Sequence, residues 1–159
     1  MQLLNLPHFA CKIQTSRAGY QIFDVVRRKY VKLTPEEWVR QHFLHYLVDH
    51  LAYPKALVRV EKGVPYYALR YRPDIVLYNR CGQPFMLVEC KAPHVAISKQ
   101  EIWGQIGRYN AHFKAPLLVV TNGLEHFCWQ SDHVSGGYRW LSAIPHFDKS
   151  AEHFAATIP

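Results

Sequence analysis

Asp74, Glu89 and Lys91 stand close together in otherwise apolar company. Asp74 opens the run Ile75, Val76, Leu77, while Glu89 and Lys91 close the run that includes Phe85, Leu87 and Val88. Charges enclosed by such residues cost stability unless something pairs them. Two convergent carboxylates beside an amine are also a chemical device. Carboxylate oxygens suit a hard cation such as Mg²⁺, which keeps several waters and favours sites shared with substrate phosphates. Such a cation polarises a phosphoryl oxygen and lowers the pKa of a bound water, and Lys91 is placed to hold or help deprotonate that water. The chemistry these residue types point to is metal-assisted hydrolysis of a phosphodiester.

For that chemistry the three side chains must share a face. The turn Asn79-Arg80-Cys81-Gly82-Gln83 offers two registers. A two-residue loop at Cys81 and Gly82 sets Asp74 opposite Glu89, and a four-residue loop sets Asp74 opposite Leu87, diagonal to Glu89. In both, the carboxylates lie on one face; Lys91 shares it with Glu89 because side chains alternate with period two. Only a one-residue slip separates them.

The elements around this hairpin read as follows. Residues 21–33 have the β-branched and aromatic content of a strand or strand pair. Thr34 as N-cap, Pro35 at the first helical position and Glu37 three residues on form a capping box, and Val39, Phe43, Tyr46, Leu47 and His50 follow at helical spacing. This predicts a helix over 35–51. Short strands are expected in residues 56–63 and 64–72, on either side of Gly63, then a second helix over 98–114 with the apolar stripe Ile102, Ile106, Tyr109 and Phe113. Residues 115–123 predict a buried strand ending at Asn122 and Gly123, and a last hairpin follows. The order implies one α/β (α+β) domain over 1–159, a mixed sheet flanked by helices, with 1–27 as an N-terminal extension.

Composition narrows the partners. The 159 residues carry 19 Lys and Arg against 12 Asp and Glu, which ranks nucleic acid above acidic proteins. Cys11, Cys81, Cys90 and Cys128 are scattered without metal-ligand spacing, as expected of reduced thiols in a cytoplasmic protein. No apolar run approaches the ~20 residues of a membrane span, and no leader pattern opens the chain.

Pro73-Asp74 followed by Glu89-Cys90-Lys91 resembles the PD-(D/E)xK nuclease signature. The stretches TPEEWVRQ, PDIVLYN, FMLVECKAP, QIGRYN and LLVVTNG are similar, in order and approximate spacing, to the N-terminal nuclease domain of type I restriction enzyme R subunits, over roughly residues 28–130. The resemblance implies a restriction-endonuclease-like core and a Mg²⁺-dependent DNA endonuclease in which Mn²⁺ can substitute. It further implies that Asp74, Glu89 and the Cys90 backbone carbonyl are metal ligands and that Lys91 is the catalytic lysine. Gln105 and Tyr109 match the QxxxY element that contacts DNA or supports the site, Glu37 matches the first-helix acid that completes many such metal sites, and Arg72 and Arg40 are candidates for phosphate contact.

Each of these residues also has a plainer explanation. Asp74 and Lys91 can form a structural salt bridge at a strand end, Tyr109 lies on its helix's apolar stripe, and Gln105 can be solvated. Glu37 can be spent on the capping box and on a surface pair with Arg40. Glu61 reads as an exposed strand end. Phe127, Trp129, Tyr138 and Trp140 read as core before they read as a base-stacking platform. The alternative at the level of function is a non-catalytic nucleic-acid-binding or regulatory module of the same fold. The chain has no GxxxxGK[ST] loop, so ATP-driven translocation is not implied and a stand-alone domain is expected. Cutting both strands needs two sites, which makes a homodimer a candidate assembly.

Overall fold

The structure, a computed structural model, describes residues 1–60, 72–98, 104, 107, 110–132 and 136–147. The N-terminal part is an antiparallel meander of β1 (Ile13–Ser16), β2 (Gly19–Asp24) and β3 (Lys29–Lys32). The expected strand pair is β2 and β3. β1 joins it through a turn in which Ser16 Oγ donates to the Gly19 carbonyl at 2.9 Å and Gly19 takes φ +104°.

Helix α1 (Pro35–His45) begins as its capping residues dictate, with the Glu37 N–H donating to Thr34 Oγ1 at 3.0 Å. It continues into a π-helical turn, Tyr46–His50. The wider turn changes which residues face inward. Val39, Phe43 and Leu47 are fully buried as the spacing predicts, whereas Tyr46 is half-buried and His50 is exposed.

The main sheet has six strands in spatial order β4 (Val58–Val60), β5 (Ile75–Tyr78), β6 (Pro84–Cys90), β7 (Leu117–Thr121), β8 (His126–Asp132) and β9 (Gly137–Leu141). All pairs are antiparallel except β6 with β7. A parallel pair needs a crossover. The crossover contains the second helix, of which residues 104, 107 and 110–113 are helical. The buried Asn110 side chain ties down the chain just past its end, donating to the Ala115 carbonyl at 3.0 Å and accepting from the Ala115 N–H at 2.7 Å. The strand expected in 64–72 falls almost wholly outside the described residues, as do Ile102, Ile106 and Tyr109.

The mixed α+β architecture is the one expected. On one sheet face Val39 and Phe43 of α1 and Leu47 of the π-helical turn pack with Ile75, Leu77, Met86, Val88 and Val119; on the other, Val76, Leu87, Leu118, Val120 and Trp129 form a second cluster with Phe113 against it. No helix among the described residues is long and apolar enough to cross a membrane.

The hairpin that carries the charges differs from both expected loops. Asn79 pairs with Gln83, whose carbonyl accepts from the Asn79 N–H at 2.8 Å, and Gly82 N–H donates to the Asn79 carbonyl at 3.0 Å with Gly82 at φ +78°. This is a three-residue loop with glycine in the left-handed region. A bulge next to Leu77 and Tyr78 then absorbs the odd residue, so that Leu77 pairs with Met86, Val76 with Leu87 and Ile75 with Val88. The bulge also places Phe85 in the α1-side cluster, opposite to the side on which Leu87 lies.

Candidate functional site

The ladder between β5 and β6 runs to Ile75 and Val88, and one further step in that register sets Asp74 opposite Glu89. Pro73 precedes Asp74 and has no N–H to continue the ladder, which leaves Asp74 at its open end. Its carboxylate caps the neighbouring strand instead: Oδ2 accepts the Cys90 N–H at 2.6 Å and Oδ1 accepts Arg40 Nη2 at 2.5 Å. Glu89 lies at the end of β6, held between β5 and β7, and Lys91 Nζ donates to its Oε1 at 2.9 Å. The structure therefore brings Asp74, Glu89 and Lys91 together as the register arithmetic requires.

Burial decides their electrostatics. Glu89 is 8% exposed, and its pKa is pushed from 4.5 up to about 7 by burial first and by Asp74 next, against the pull of Lys91. Burial also raises Asp74, while Arg40, the Cys90 N–H and Lys91 oppose the rise. The two carboxyls titrate as a pair. Burial works against the charged form of Lys91, but Glu89 and Asp74 outweigh it and raise its pKa, so the amine stays protonated.

Helix α1 supplies the rest of the cluster. Arg40 is buried, and its guanidinium spans Glu37 Oε2, Glu36 Oε1 at 3.0 Å and Asp74 Oδ1. Asp74 and Glu37 hold it charged against the cost of burial. Glu37 Oε1 accepts Arg27 Nη2 at 2.7 Å and Gln41 Nε2 at 2.7 Å, and Arg27 Nε reaches Asp24 Oδ2 at 2.6 Å. The backbone half of the predicted capping box forms, and both Glu37 oxygens are drawn into this ion network. The Glu37 to Arg40 pair is buried, where the sequence allowed only a surface contact.

Glu36, the neighbouring acid, was not singled out in the sequence. It is half-exposed, and burial and Asp74 raise its pKa while Arg40 and Lys91 lower it, which puts it within electrostatic reach of the Asp74 and Glu89 pair. The available signal was its i, i+4 spacing to Arg40. Arg72 is exposed just before Pro73. Gln105, Tyr109 and Glu61 lie outside the described residues. Of the hairpin aromatics, Trp129 is buried, Phe127 and Tyr138 are half-buried, and Trp140 is exposed; Phe127, Trp129 and Trp140 pack on one another with ring centroids 5.6–6.1 Å apart.

No three His, Cys, Asp or Glu side chains among the described residues form a group that would by itself enclose a metal. A Mg²⁺ site needs no such cage, since one or two carboxylates plus waters and substrate phosphates suffice. Among the described residues, Asp24, Glu36, Glu37, Asp74 and Glu89 are linked to Arg27, Arg40 and Lys91, five carboxylates to three cations.

Comparison with known proteins agrees with the motif. The family described as Type I restriction enzyme R protein N terminus (HSDR_N) matches residues 35–145, well over half of the chain. Among solved structures, a fragment described as an HsdR subunit of a type I restriction enzyme from Vibrio vulnificus YJ016 aligns at 22% identity with a TM-score of 0.36, covering 56% of this chain and 16% of that one. No curated protein matches the chain. With the signature residues gathered at the end of one hairpin and the match running from α1 to the last hairpin, the chain belongs to the type I restriction enzyme R protein N-terminal family.

Proposed function

We propose that this domain is a metal-dependent DNA endonuclease that hydrolyses phosphodiester bonds. The observation that carries the reading is the placement of Asp74 opposite Glu89 at the end of the β5/β6 ladder, with Lys91 on Glu89 at 2.9 Å. Asp74, Glu89 and the Cys90 carbonyl are the protein groups that would hold Mg²⁺ or Mn²⁺, and Glu36 is an α1 acid electrostatically linked to both carboxyls. The ion, when bound, would supply Lewis-acid polarisation of the scissile phosphate. Lys91 keeps its proton and orients an attacking water or steadies charge on the phosphate. Arg40 and Glu37 act behind Asp74: the guanidinium fixes Oδ1, and Glu37 with Arg27 fixes the guanidinium. Arg72, exposed and two residues before Asp74, is the phosphate contact proposed from this side, with Gln105 and Tyr109, which match the QxxxY element, as proposed supporting residues.

The test is conversion of supercoiled plasmid with Mg²⁺ or Mn²⁺ by the wild type, Asp74→Ala and Lys91→Ala. Loss of cleavage in both variants, each still folded, is expected; activity surviving both would sink the reading.

A second reading has its own observation. Both Asp74 oxygens already have protein partners, Arg40 and the Cys90 N–H, so the ion network is also a way to stabilise a binding module that performs no chemistry. A salt-dependent DNA shift without metal-dependent cleavage, and without heat of metal binding, would select it. Linear or nicked product ratios against protein concentration would report whether a homodimer cuts both strands.

A further inference from the structure

The segment before the family match carries most of the chain's net charge. Residues 1–34 hold six Lys and Arg and one Asp, five of the seven net positive charges. Arg27 is taken up by Asp24 and Glu37, whereas Lys12, Arg17, Arg28, Lys29 and Lys32 are exposed. Such a concentration of exposed cations is the electrostatic complement of a polyanion.

The pleat of the N-terminal meander sorts its side chains. Ile22 and Asp24 are buried on the inner face. On the outer face the pairing of Gln21 with Lys32 and of Phe23 with Tyr30 sets these four residues together, and Gln14 joins them by donating to Gln21 Oε1 at 2.8 Å. Lys12 Nζ lies 5.8 Å from the Phe23 ring centroid, and Phe23 meets Tyr30 edge to face at 5.3 Å. The face thus presents an aromatic pair, with Tyr30 38% exposed, between two lysines and a row of amides. A fold needs no exposed ring there for its own core.

We propose that this outer face docks a nucleic-acid strand with unpaired bases. Lys12 and Lys32 take its phosphates, and one base stacks on Tyr30 with Phe23 as backing, as in other sheet surfaces that bind single strands through aromatics and a basic rim. The amides of Gln14 and Gln21 offer donors and acceptors to sugar or base edges. The inner face links the platform to the candidate site, because Asp24 leads through Arg27, Glu37 and Arg40 to Asp74. The proposal deepens the nucleic-acid reading above but does not need cleavage.

The experiment is fluorescence anisotropy of a labelled oligothymidylate of about 15 nucleotides, a length that covers the usual single-strand site. It is read on the full chain in EDTA over a salt series, so the outcome stands whether or not the domain cuts. The double variant K12E/K32E should bind at least about tenfold more weakly, with the slope of log K against log salt reduced by about 1.4, or ~0.7 per lost phosphate contact. Tyr30→Ala should weaken binding about fivefold or more without changing that slope, and Tyr30→Phe should restore it. Lys55→Glu, an exposed charge reversal outside this face, should bind as the wild type. Thermal melting confirms that each variant is folded. Wild-type affinity in the folded K12E/K32E variant, indifference to Tyr30→Ala, or equally tight binding of a duplex of the same length would overturn the proposal.

Discussion

Replacing Glu89 by Gln should stabilise the protein at alkaline pH while abolishing the proposed activity. In the native state the Glu89 carboxyl has a pKa of about 7 against 4.5 for the free group, because its charged form is buried and faces Asp74. An acid whose native pKa is raised contributes fully below its unfolded pKa, and that contribution is lost as the pH climbs through the native value. The window therefore runs from about pH 4.5 to 7. A gap of roughly 2.5 pH units at about 1.36 kcal/mol per unit amounts to about 3 kcal/mol. The amide keeps the shape and an oxygen for Lys91 but loses the charge on that bond, which offsets part of the gain. The expected net effect of Glu89→Gln is about 1–3 kcal/mol of added stability at pH 8, or a Tm higher by roughly 3–10 °C, and almost none at pH 4.5. Urea unfolding followed by fluorescence of the four Trp residues at several pH values reads this directly. A second arm adds Mg²⁺: at a concentration about 100 times Kd the wild type should gain about 2.7 kcal/mol, and the variant much less. Destabilisation at pH 8, or a gain of equal size at all pH values, would refute the account of Glu89 as a charge held at a cost.

Arg40→Met should act in the opposite sense. It leaves Asp74 buried without its guanidinium partner and Glu37 with Arg27 alone, costing about 3–5 kcal/mol at pH 7 by denaturant unfolding. Deprived of Arg40, which holds its pKa down, Asp74 takes up a proton more readily in the native state, so the loss should shrink at pH 4; a loss under about 1 kcal/mol at pH 7 would contradict the network. Gly123 has φ +81°, and a Cβ there would lie 2.9 Å from Leu4 Cδ2 and 3.2 Å from Val39 Cγ2. Gly123→Ala should lower stability by about 1–3 kcal/mol, and adding Leu4→Ala should cost less than the two single losses combined, a coupling that a double-mutant cycle measures.

The sequence by itself determined which residues could do chemistry and on which face they would meet. Alternation of Val76 and Leu77, and of Leu87 and Val88, commits each strand to two buried faces, and a one-residue slip would exchange them. That constraint holds although the turn differs in length from either expected loop: it takes three residues, and the bulge next to Leu77 and Tyr78 returns the register that sets Asp74 against Glu89. Thr34, Pro35 and the spacing from Val39 to Leu47 likewise specify α1 locally, since capping and helical periodicity are short-range. What lay between elements was legible only in three dimensions. Arg40 and Asp74 are 34 residues apart in the chain, and their meeting depends on how α1 crosses the sheet. The same crossing buries the carboxylate of Glu37 in the ion network and leaves that of Glu36 half-exposed beside Asp74 and Glu89, a choice between adjacent acids that no local pattern encodes. The π-helical turn that exposes His50, and the pairing of β1 that completes the N-terminal sheet, were decided in the same way, by packing across the chain rather than by propensity along it.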